Sequence, residues 1–204
     1  KSVDSSFAVK ISTSLVYIRR LVDLLSLIPR HMENNNPDTE FATKAVHSGM
    51  LEIEGAASTP IFLSSTYRLT DEKYKGWAEG LHHSVVYSRI SSINSEVVSA
   101  KLAALEGAED AEVFSSGMAA ISTTLLTLLS KGDHIIATPD CYGGTYALLT
   151  DILPRMGIEV TMADIRDPSS YEQAIQENTK VLYVETMTNP TLKVCDLSAM
   201  AELA

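Results

Sequence analysis

The sequence predicts an α/β protein in which a mostly parallel β-sheet is flanked by helices. Short apolar runs typical of buried strands recur through the second half of the chain, amphipathic helical patterns separate them, and the connections are short. Strands and helices that alternate in this way form right-handed crossovers. The predicted strands are residues 111–114, 134–138, 158–163 and 180–186. The predicted helices are residues 94–107, 116–132, 143–157, 169–178 and 197–204.

Two of these helices have one-sided apolar patterns. The first ends at Gly107, a residue type that commonly ends helices, and the second ends near Gly132. Spacings of three and four residues place apolar side chains on one side of a helix. In the first helix these side chains are Val98, Leu102 and Leu105. In the second they are Met118, Ile121, Leu125 and Leu128.

Composition excludes several classes of protein. The chain has 204 residues, of which 45% are hydrophobic and 21% charged, and its net charge is −10. That charge argues against nucleic acid as a partner, because phosphate backbones require clustered Lys and Arg. No apolar run is long enough to predict a membrane span. The five histidines have no metal-ligand spacing, and Cys141 and Cys195 have no zinc-type spacing, so we expect free thiols and a cytoplasmic protein.

The chain is organised in three parts. Residues 1–31 contain five basic and two acidic side chains and follow a helical pattern. Three origins stay open for residues 1–32: a segment for import into an organelle, an upstream extension added by cloning or gene prediction, or an arm that packs on a partner. Short apolar pieces broken by Gly and Pro follow. The sequence therefore predicts a leading segment over 1–32, an arm over 33–93 and a regular domain over 94–204.

The stretch "VFSSGMAAIS" (113–122) lies where a predicted strand passes into a helix. Ser115 or Ser116 has the residue type of an N-cap. Alternatively, the N–H groups of Gly117 and Met118 form a site for an anion such as phosphate, because they point out of the helix without intrahelical partners. Both interpretations stay open on local sequence alone.

Two further loops follow predicted strands at the edge where α/β proteins bind ligands. Tyr142 precedes two glycines and has the residue type to stack on a planar ligand, or simply to fill a turn. In the second loop, Glu185, Asn189 and Asp196 cluster, and "LKVC" (192–195) could be one more short strand. Asp196 either faces the cleft as a carboxylate that needs a cationic partner or caps the next helix.

Tyr87 and Arg89 lie upstream, two residues apart in "VVYSRISS". In an extended segment this spacing places both side chains on one face. A phenol and a guanidinium on one face suit a phosphate. An ordinary exposed pair is the alternative.

Taken in order, "YSR", "LAALEGAE", "SSGMAAI", "GDHII", "CYGGTY" and "ETMTNPTLKVCD" resemble the Cys/Met metabolism family of PLP-dependent transsulfuration enzymes. This family includes cystathionine γ-synthase, cystathionine β- and γ-lyases and methionine γ-lyase. The resemblance covers about Phe41 to Ala204. It implies PLP-dependent transferase fold type I, the aspartate-aminotransferase type, with residues 33–93 as the N-terminal arm and 94–204 as part of the large PLP-binding domain. It also implies a homodimer or homotetramer.

The resemblance further implies roles for single residues. The phosphate of pyridoxal 5′-phosphate would be held at Ser116, Gly117 and Met118. Tyr142 would stack on the pyridine ring and take part in catalysis by aiding proton transfer, and Asp196 would pair with the ring nitrogen. The remaining cofactor-binding residues implied by the family are Asn189, near the 3′-oxygen, and Tyr87 and Arg89, which would reach the phosphate of the neighbouring subunit.

The chain departs from the family pattern in two ways. Ser92, Ile93 and Asn94 stand where the family usually has Asn, Pro and Thr. The Schiff-base lysine in its "SxTK" motif and the C-terminal domain are absent, and Lys44 and Lys193 lie in other motifs. The chain is therefore expected to be an N-terminal segment with little turnover of its own.

The expected reaction is β/γ-elimination or γ-replacement on cystathionine, a homoserine ester, cysteine or methionine. Gly144 stands where methionine γ-lyases typically have Cys, which favours a cystathionine γ-synthase or γ-lyase. The alternative is an inactive remnant or a fragment that docks on other subunits.

Overall fold

A computed structural model describes residues 7–11, 14–18, 39–78, 86–90 and 92–204. Its strands are β1 (Phe7–Ile11), β2 (Ser14–Ile18), β3 (His134–Ala137), β4 (Glu159–Met162) and β5 (Thr179–Glu185). Its α-helices are α1 (Phe41–His47), α2 (Asp71–Ala78), α3 (Ile93–Glu106), α4 (Gly117–Leu128), α5 (Gly143–Ala147), α6 (Leu153–Arg155), α7 (Pro168–Ala174) and α8 (Leu197–Leu203). A π-helical turn, Leu148–Ile152, joins α5 to α6.

The described residues form two compact units. The first contains β1, β2 and residues 114–204, and the second contains residues 39–78, 86–90 and 92–113. This division differs from the boundaries expected from the sequence, since α3 belongs to the second unit.

The sheet of the first unit has the strand order β1-β2-β5-β3-β4. Strands β5, β3 and β4 are parallel, with Ile136 of β3 opposite Thr161 on one side and Leu182 on the other. The helices between them make the crossovers that parallel strands require. The parallel α/β arrangement expected from the sequence is therefore confirmed for these three strands.

The helical pattern expected for residues 1–31 is wrong where the structure describes this segment. Residues 7–11 and 14–18 form an antiparallel hairpin, and β2 pairs antiparallel with β5, with Val16 opposite Tyr183. The hairpin contains Val, Ile and Tyr, which favour strands. The edge of β5 that does not pair with β3 offers backbone N–H and C=O groups to β2, and no local sequence pattern reveals this pairing. The rest of the segment lies outside the described residues.

The strand expected at residues 111–114 is also absent. Two backbone N–H groups of the segment donate to neighbouring carboxylates instead. The N–H of Ala111 donates to Asp110 at 2.8 Å, and that of Val113 donates to Glu112 at 3.3 Å. Such local bonds compete with strand pairing. The segment therefore reaches α4 as irregular chain.

The core has one cluster on each face of the sheet. Alternation along β3 sends Ile135 to the cluster that includes Ile121 and Leu125 of α4, and Ile136 to the cluster that includes Met200 of α8. The apolar face expected for α4 is thus confirmed, since Ile121 and Leu125 are buried. The two clusters fix the helices whose first residues lie at the carboxyl edge of the sheet.

The second unit shows a different helix face from the expected one. In α3 the small residues Ser99, Ala103 and Ala104 are buried, whereas Val98 and Leu102 are exposed. The small side chains let the chain after α1 approach closely: a Cβ built on Gly49 would lie 2.9 Å from the Cβ of Ala100. The helix itself ends at Gly107 in the left-handed conformation, as the sequence indicates.

Helices long and apolar enough to cross a bilayer do not occur among the described residues.

Candidate functional site

The first part of the site is the N-terminus of α4. Ser116 is extended, and its Oγ accepts the N–H of Ala119 at 3.1 Å. The capping interpretation is therefore correct for Ser116. The cap uses the third N–H of the helix and leaves the first two, those of Gly117 and Met118, without an intrahelical acceptor. Gly117 is exposed, and a Cβ built on it meets nothing within 4 Å, so the space beside its Cα is open.

Tyr142 lies directly beside this helix end. It precedes α5, and the residue is 50% exposed. A Cβ built on Gly144 would lie 2.7 Å from Tyr142 Cε1 and 3.1 Å from Met118 Sδ. The hydroxyl of Thr145 also donates to Met118 Sδ at 3.7 Å. The two candidate regions, separate in sequence, are thus packed against one another.

A buried carboxylate anchors the backbone of Tyr142. Glu185 at the end of β5 is 3% exposed, and its Oε1 accepts the Tyr142 N–H and the Tyr183 hydroxyl, each at 3.3 Å. Burial, together with the negative charge of Glu185, raises the pKa of Cys141 to about 12. The Cys141 thiol therefore stays protonated and is not a nucleophile at neutral pH.

Asn189 and Asp196 lie on the loop that follows β5, and both are exposed. Asp196 Oδ1 accepts the N–H of Ala199 at 3.1 Å, so the carboxylate caps α8. Its second oxygen can still accept from a ligand. The strand considered for residues 192–195 is limited to one isolated bridge between Met187 and Val194.

An ion pair that the sequence did not reveal joins this loop to the one that follows β3. Lys193 Nζ donates to Asp140 Oδ2 at 2.6 Å, and the Thr191 hydroxyl donates to Asp140 Oδ1 at 3.3 Å. Neither Asp140 nor Thr191 belongs to a motif that predicts a site. The available signal was that both loops follow parallel strands and therefore meet at one edge.

Tyr87 and Arg89 belong to the second unit. Tyr87 makes an isolated bridge with Thr66, and the chain then turns, since Ile90 N–H donates to the Tyr87 carbonyl at 2.9 Å. The chain is therefore extended at Tyr87 and turns after it. The two side chains nevertheless meet, because the Arg89 guanidinium lies 5.2 Å from the centre of the Tyr87 ring.

The departure at residues 92–94 leaves the following helix intact. Ser92 Oγ accepts the N–H of Ser95 at 3.1 Å and caps α3. Asn94 accepts the N–H of Phe62 at 2.8 Å and donates to the carbonyl of Pro60 at 3.0 Å. The substituted residues therefore build a cap and a tether for the arm.

The model of the Cys/Met metabolism PLP-dependent enzyme family matches residues 42–204. The chain belongs to this family. Cystathionine gamma-lyase of Bacillus subtilis is 42% identical over 164 residues, which are 79% of this chain and 41% of that protein. L-methionine gamma-lyase of Porphyromonas gingivalis is 40% identical over 166 residues, 80% of this chain and 42% of that protein. The chain thus spans about two fifths of the length of the curated relatives it matches.

Structural similarity agrees with the family. A Campylobacter jejuni protein described as O-acetylhomoserine (thiol)-lyase (metY) superimposes with a TM-score of 0.73 and 29% identity, over 82% of this chain and 42% of that one. That structure contains N′-pyridoxyl-lysine-5′-monophosphate. The expected fold class is confirmed.

Pyridoxal 5′-phosphate is the cofactor of the family, and the site of the first unit fits it. Two free amides at a helix N-terminus suit the phosphate dianion. A half-exposed tyrosine beside them suits the ring, and a carboxylate with a spare oxygen suits the ring nitrogen. Asn189 and Asp196 share one loop, and their roles toward the cofactor stay predictions.

Proposed function

We propose that this chain is the N-terminal part of the cofactor-binding domain of a transsulfuration enzyme of cysteine and methionine metabolism. Its substrates would be sulfur amino acids or homoserine esters, converted by β/γ-elimination or γ-replacement. The observation that carries the proposal is the close approach of Gly144 to both Met118 and Tyr142, because it sets an anion site near an aromatic ring. When bound, the cofactor supplies an electron sink for the substrate carbanion.

Each residue of the site would have its own role toward the cofactor or substrate. The amides of Gly117 and Met118 bind the phosphate. Tyr142 stacks on the ring, and its hydroxyl moves a proton at the substrate. Asp196 accepts a hydrogen bond from the protonated ring nitrogen and keeps that nitrogen charged. Asn189 orients the 3′-oxygen.

The proposed assembly is a homodimer or homotetramer. Tyr87 and Arg89, held together by their cation–π contact, would reach the phosphate bound by a neighbouring subunit. A phenol and a guanidinium supply donors that complement the two amides of α4.

Turnover would need a lysine that these 204 residues do not supply. Lys193 is committed to Asp140 at 2.6 Å. We expect the chain, mixed with pyridoxal 5′-phosphate and L-cystathionine or L-methionine, to release no α-keto acid above the rate of free cofactor. A coupled dehydrogenase assay measures this release. Robust turnover by the chain alone would contradict the assignment.

The anion site is tested by removing one N–H without disturbing the helix. Gly117 is the first residue of α4, where proline is tolerated, and Ser116 before it is already extended. Gly117→Pro should therefore fold normally but lose one donor to the phosphate. We expect its affinity for pyridoxamine 5′-phosphate to fall about tenfold, the value of one hydrogen bond to a charged group. This ligand has no aldehyde and so does not react with surface lysines.

Two controls sharpen the comparison. Pyridoxamine without the phosphate should bind the parent chain and Gly117→Pro equally. Gly117→Ala retains the N–H and should stay close to the parent in affinity. If pyridoxamine 5′-phosphate binds the proline variant as tightly as the parent, the amides of α4 do not hold the phosphate.

A further inference from the structure

The carboxyl edge of the sheet contains two loops that carry different parts of the site. The β3 loop, residues 138–142, ends in Tyr142. The β5 loop, residues 186–196, contains Asn189 and ends in Asp196. A stacking ring and a carboxylate for the ring nitrogen are useful only if their separation is fixed. What fixes the two loops relative to each other is therefore a functional question.

The strongest side-chain link between these loops is the ion pair of Asp140 and Lys193. Its N···O distance is 2.6 Å, and its side chains are 18% and 28% exposed, respectively. The nearby pair of Asp164 and Arg166 is 43% and 61% exposed and lies within one loop, two residues apart. Charges shielded from water are screened less, so the Asp140–Lys193 pair is the better placed of the two to hold its loops.

Both members of the pair are themselves held in place. The N–H of Asp140 donates to the buried Thr138 Oγ1 at 3.2 Å, and its second carboxylate oxygen accepts from the Thr191 hydroxyl. The backbone N–H of Lys193 donates to Thr188 Oγ1 at 2.9 Å. The ion pair therefore connects two ordered backbones and does not rest on two free side chains.

The pair lies within a few residues of each group it would position. Asp140 precedes Tyr142 by two residues, and Lys193 precedes Asp196 by three. A second link, from Tyr142 N–H to Glu185, acts at the base of the same loops. Two links between the same parts of the chain oppose rotation of one loop against the other.

We propose that Asp140 and Lys193 are positioning residues, whose ion pair sets the cofactor ring between Tyr142 and Asp196. The inference rests on the proposed function for the ring. The connection between the two loops can be measured without any cofactor.

Two buried thiols report on that connection. Cys141 follows Asp140 and Cys195 lies two residues after Lys193, and each is 6% exposed, in the clusters on opposite faces of the sheet. Burial raises the pKa of Cys195 to about 11, as it raises that of Cys141. Both thiols therefore react slowly with a disulfide reagent at pH 8, and opening of either loop should accelerate its own thiol.

The experiment compares Asp140→Asn, Lys193→Met and the double variant. Lys131→Met, which removes an exposed lysine that precedes β3, is the matched control. In each single variant we expect faster labelling of both thiols, identified by peptide mass. The thiols of the double variant should be labelled no faster than those of either single variant, because all three variants lose the same interaction. In the control variant, both thiols should be labelled at the same rates as in the parent chain.

The cofactor readout separates positioning from general destabilisation. Each single variant should bind pyridoxamine 5′-phosphate about tenfold more weakly, with a changed circular dichroism of the bound ring. Inorganic phosphate, which contacts only the amides of α4, should bind equally well. Loss of affinity for both ligands in equal measure would indicate a structural role and overturn the proposal.

Two other results would also overturn it. In one, each substitution accelerates only the thiol of its own loop, which shows that the loops are not coupled. In the other, both thiols respond but the affinity for pyridoxamine 5′-phosphate does not change, which shows that the coupling does not reach the ring. If the parent chain binds no pyridoxamine 5′-phosphate, the proposed function fails, and the thiol rates still decide whether the pair couples the loops.

Discussion

Gly143 and Gly144 are adjacent in the first turn of α5, yet their surroundings differ. A Cβ built on Gly143 meets nothing within 4 Å, whereas one built on Gly144 meets the ring of Tyr142 and the sulfur of Met118. The second glycine therefore lets the ring and the end of α4 approach each other. The local sequence does not show that only the second glycine contacts its surroundings.

This difference leads to a prediction at the residue scale. Gly143→Ala should raise the free energy of unfolding by about 0.5–1 kcal/mol, the usual gain from replacing a helical glycine. Gly144→Ala should show a smaller gain, because its methyl group displaces the Tyr142 ring. The same displacement should weaken pyridoxamine 5′-phosphate binding in Gly144→Ala alone. Urea unfolding and ligand titration measure the two effects.

The two alanine variants control for each other. Both alter helix propensity equally, so only contact with Tyr142 and Met118 separates them. Equal ligand affinity in the two variants would show that the position of the ring does not matter for binding.

At the scale of elements, the sequence predicts those structures whose causes are local. Helix α4 is an example, because its cap at Ser116, its period of apolar residues and its buried Ile121 and Leu125 all follow from neighbours in the chain. The capping role of Asp196 is local in the same way. Such features can be found without knowing the fold.

Local sequence patterns do not predict elements that depend on residues far away along the chain. The hairpin of β1 and β2 depends on pairing with β5, more than 160 residues away along the chain. The Asp140–Lys193 ion pair spans 53 residues. The buried face of α3 depends on close approach by Gly49, which favours small side chains over the larger Val98 and Leu102. In each case a long-range contact overrides a local pattern.

At the scale of the whole molecule, one buried side chain links the three parallel strands of the sheet through hydrogen bonds. His134 of β3 is fully buried, and its Nδ1 and Nε2 each lie 2.8 Å from a hydroxyl, those of Thr179 in β5 and Thr161 in β4. Thr179 Oγ1 also accepts the N–H of Gln176 at 2.8 Å. One imidazole thus connects three strands.

Burial lowers the pKa of His134 below its ordinary value of 6.5, although the nearby charge of Glu159 opposes the shift. Well above pH 6.5 the imidazole is neutral in both folded and unfolded chains, and its contribution to stability is complete. As the pH falls through 6.5, the unfolded chain binds a proton that the folded chain does not, so stability decreases until the folded pKa is passed.

We therefore expect the free energy of unfolding to fall between pH 7 and pH 5.5 with a slope of at most about 1.4 kcal/mol per pH unit from this one group. His134→Asn should lower the free energy of unfolding by about 1–3 kcal/mol at pH 7, because the buried Thr179 hydroxyl and the partly buried Thr161 hydroxyl lose a partner. Its stability should also depend less steeply on pH. The difference in free energy of unfolding between the parent chain and His134→Asn should become smaller toward pH 5.5. Urea unfolding at several pH values measures it, with His47→Gln, an exposed histidine of the second unit, as the control. An unchanged slope in His134→Asn would show that the acid sensitivity of the fold arises elsewhere.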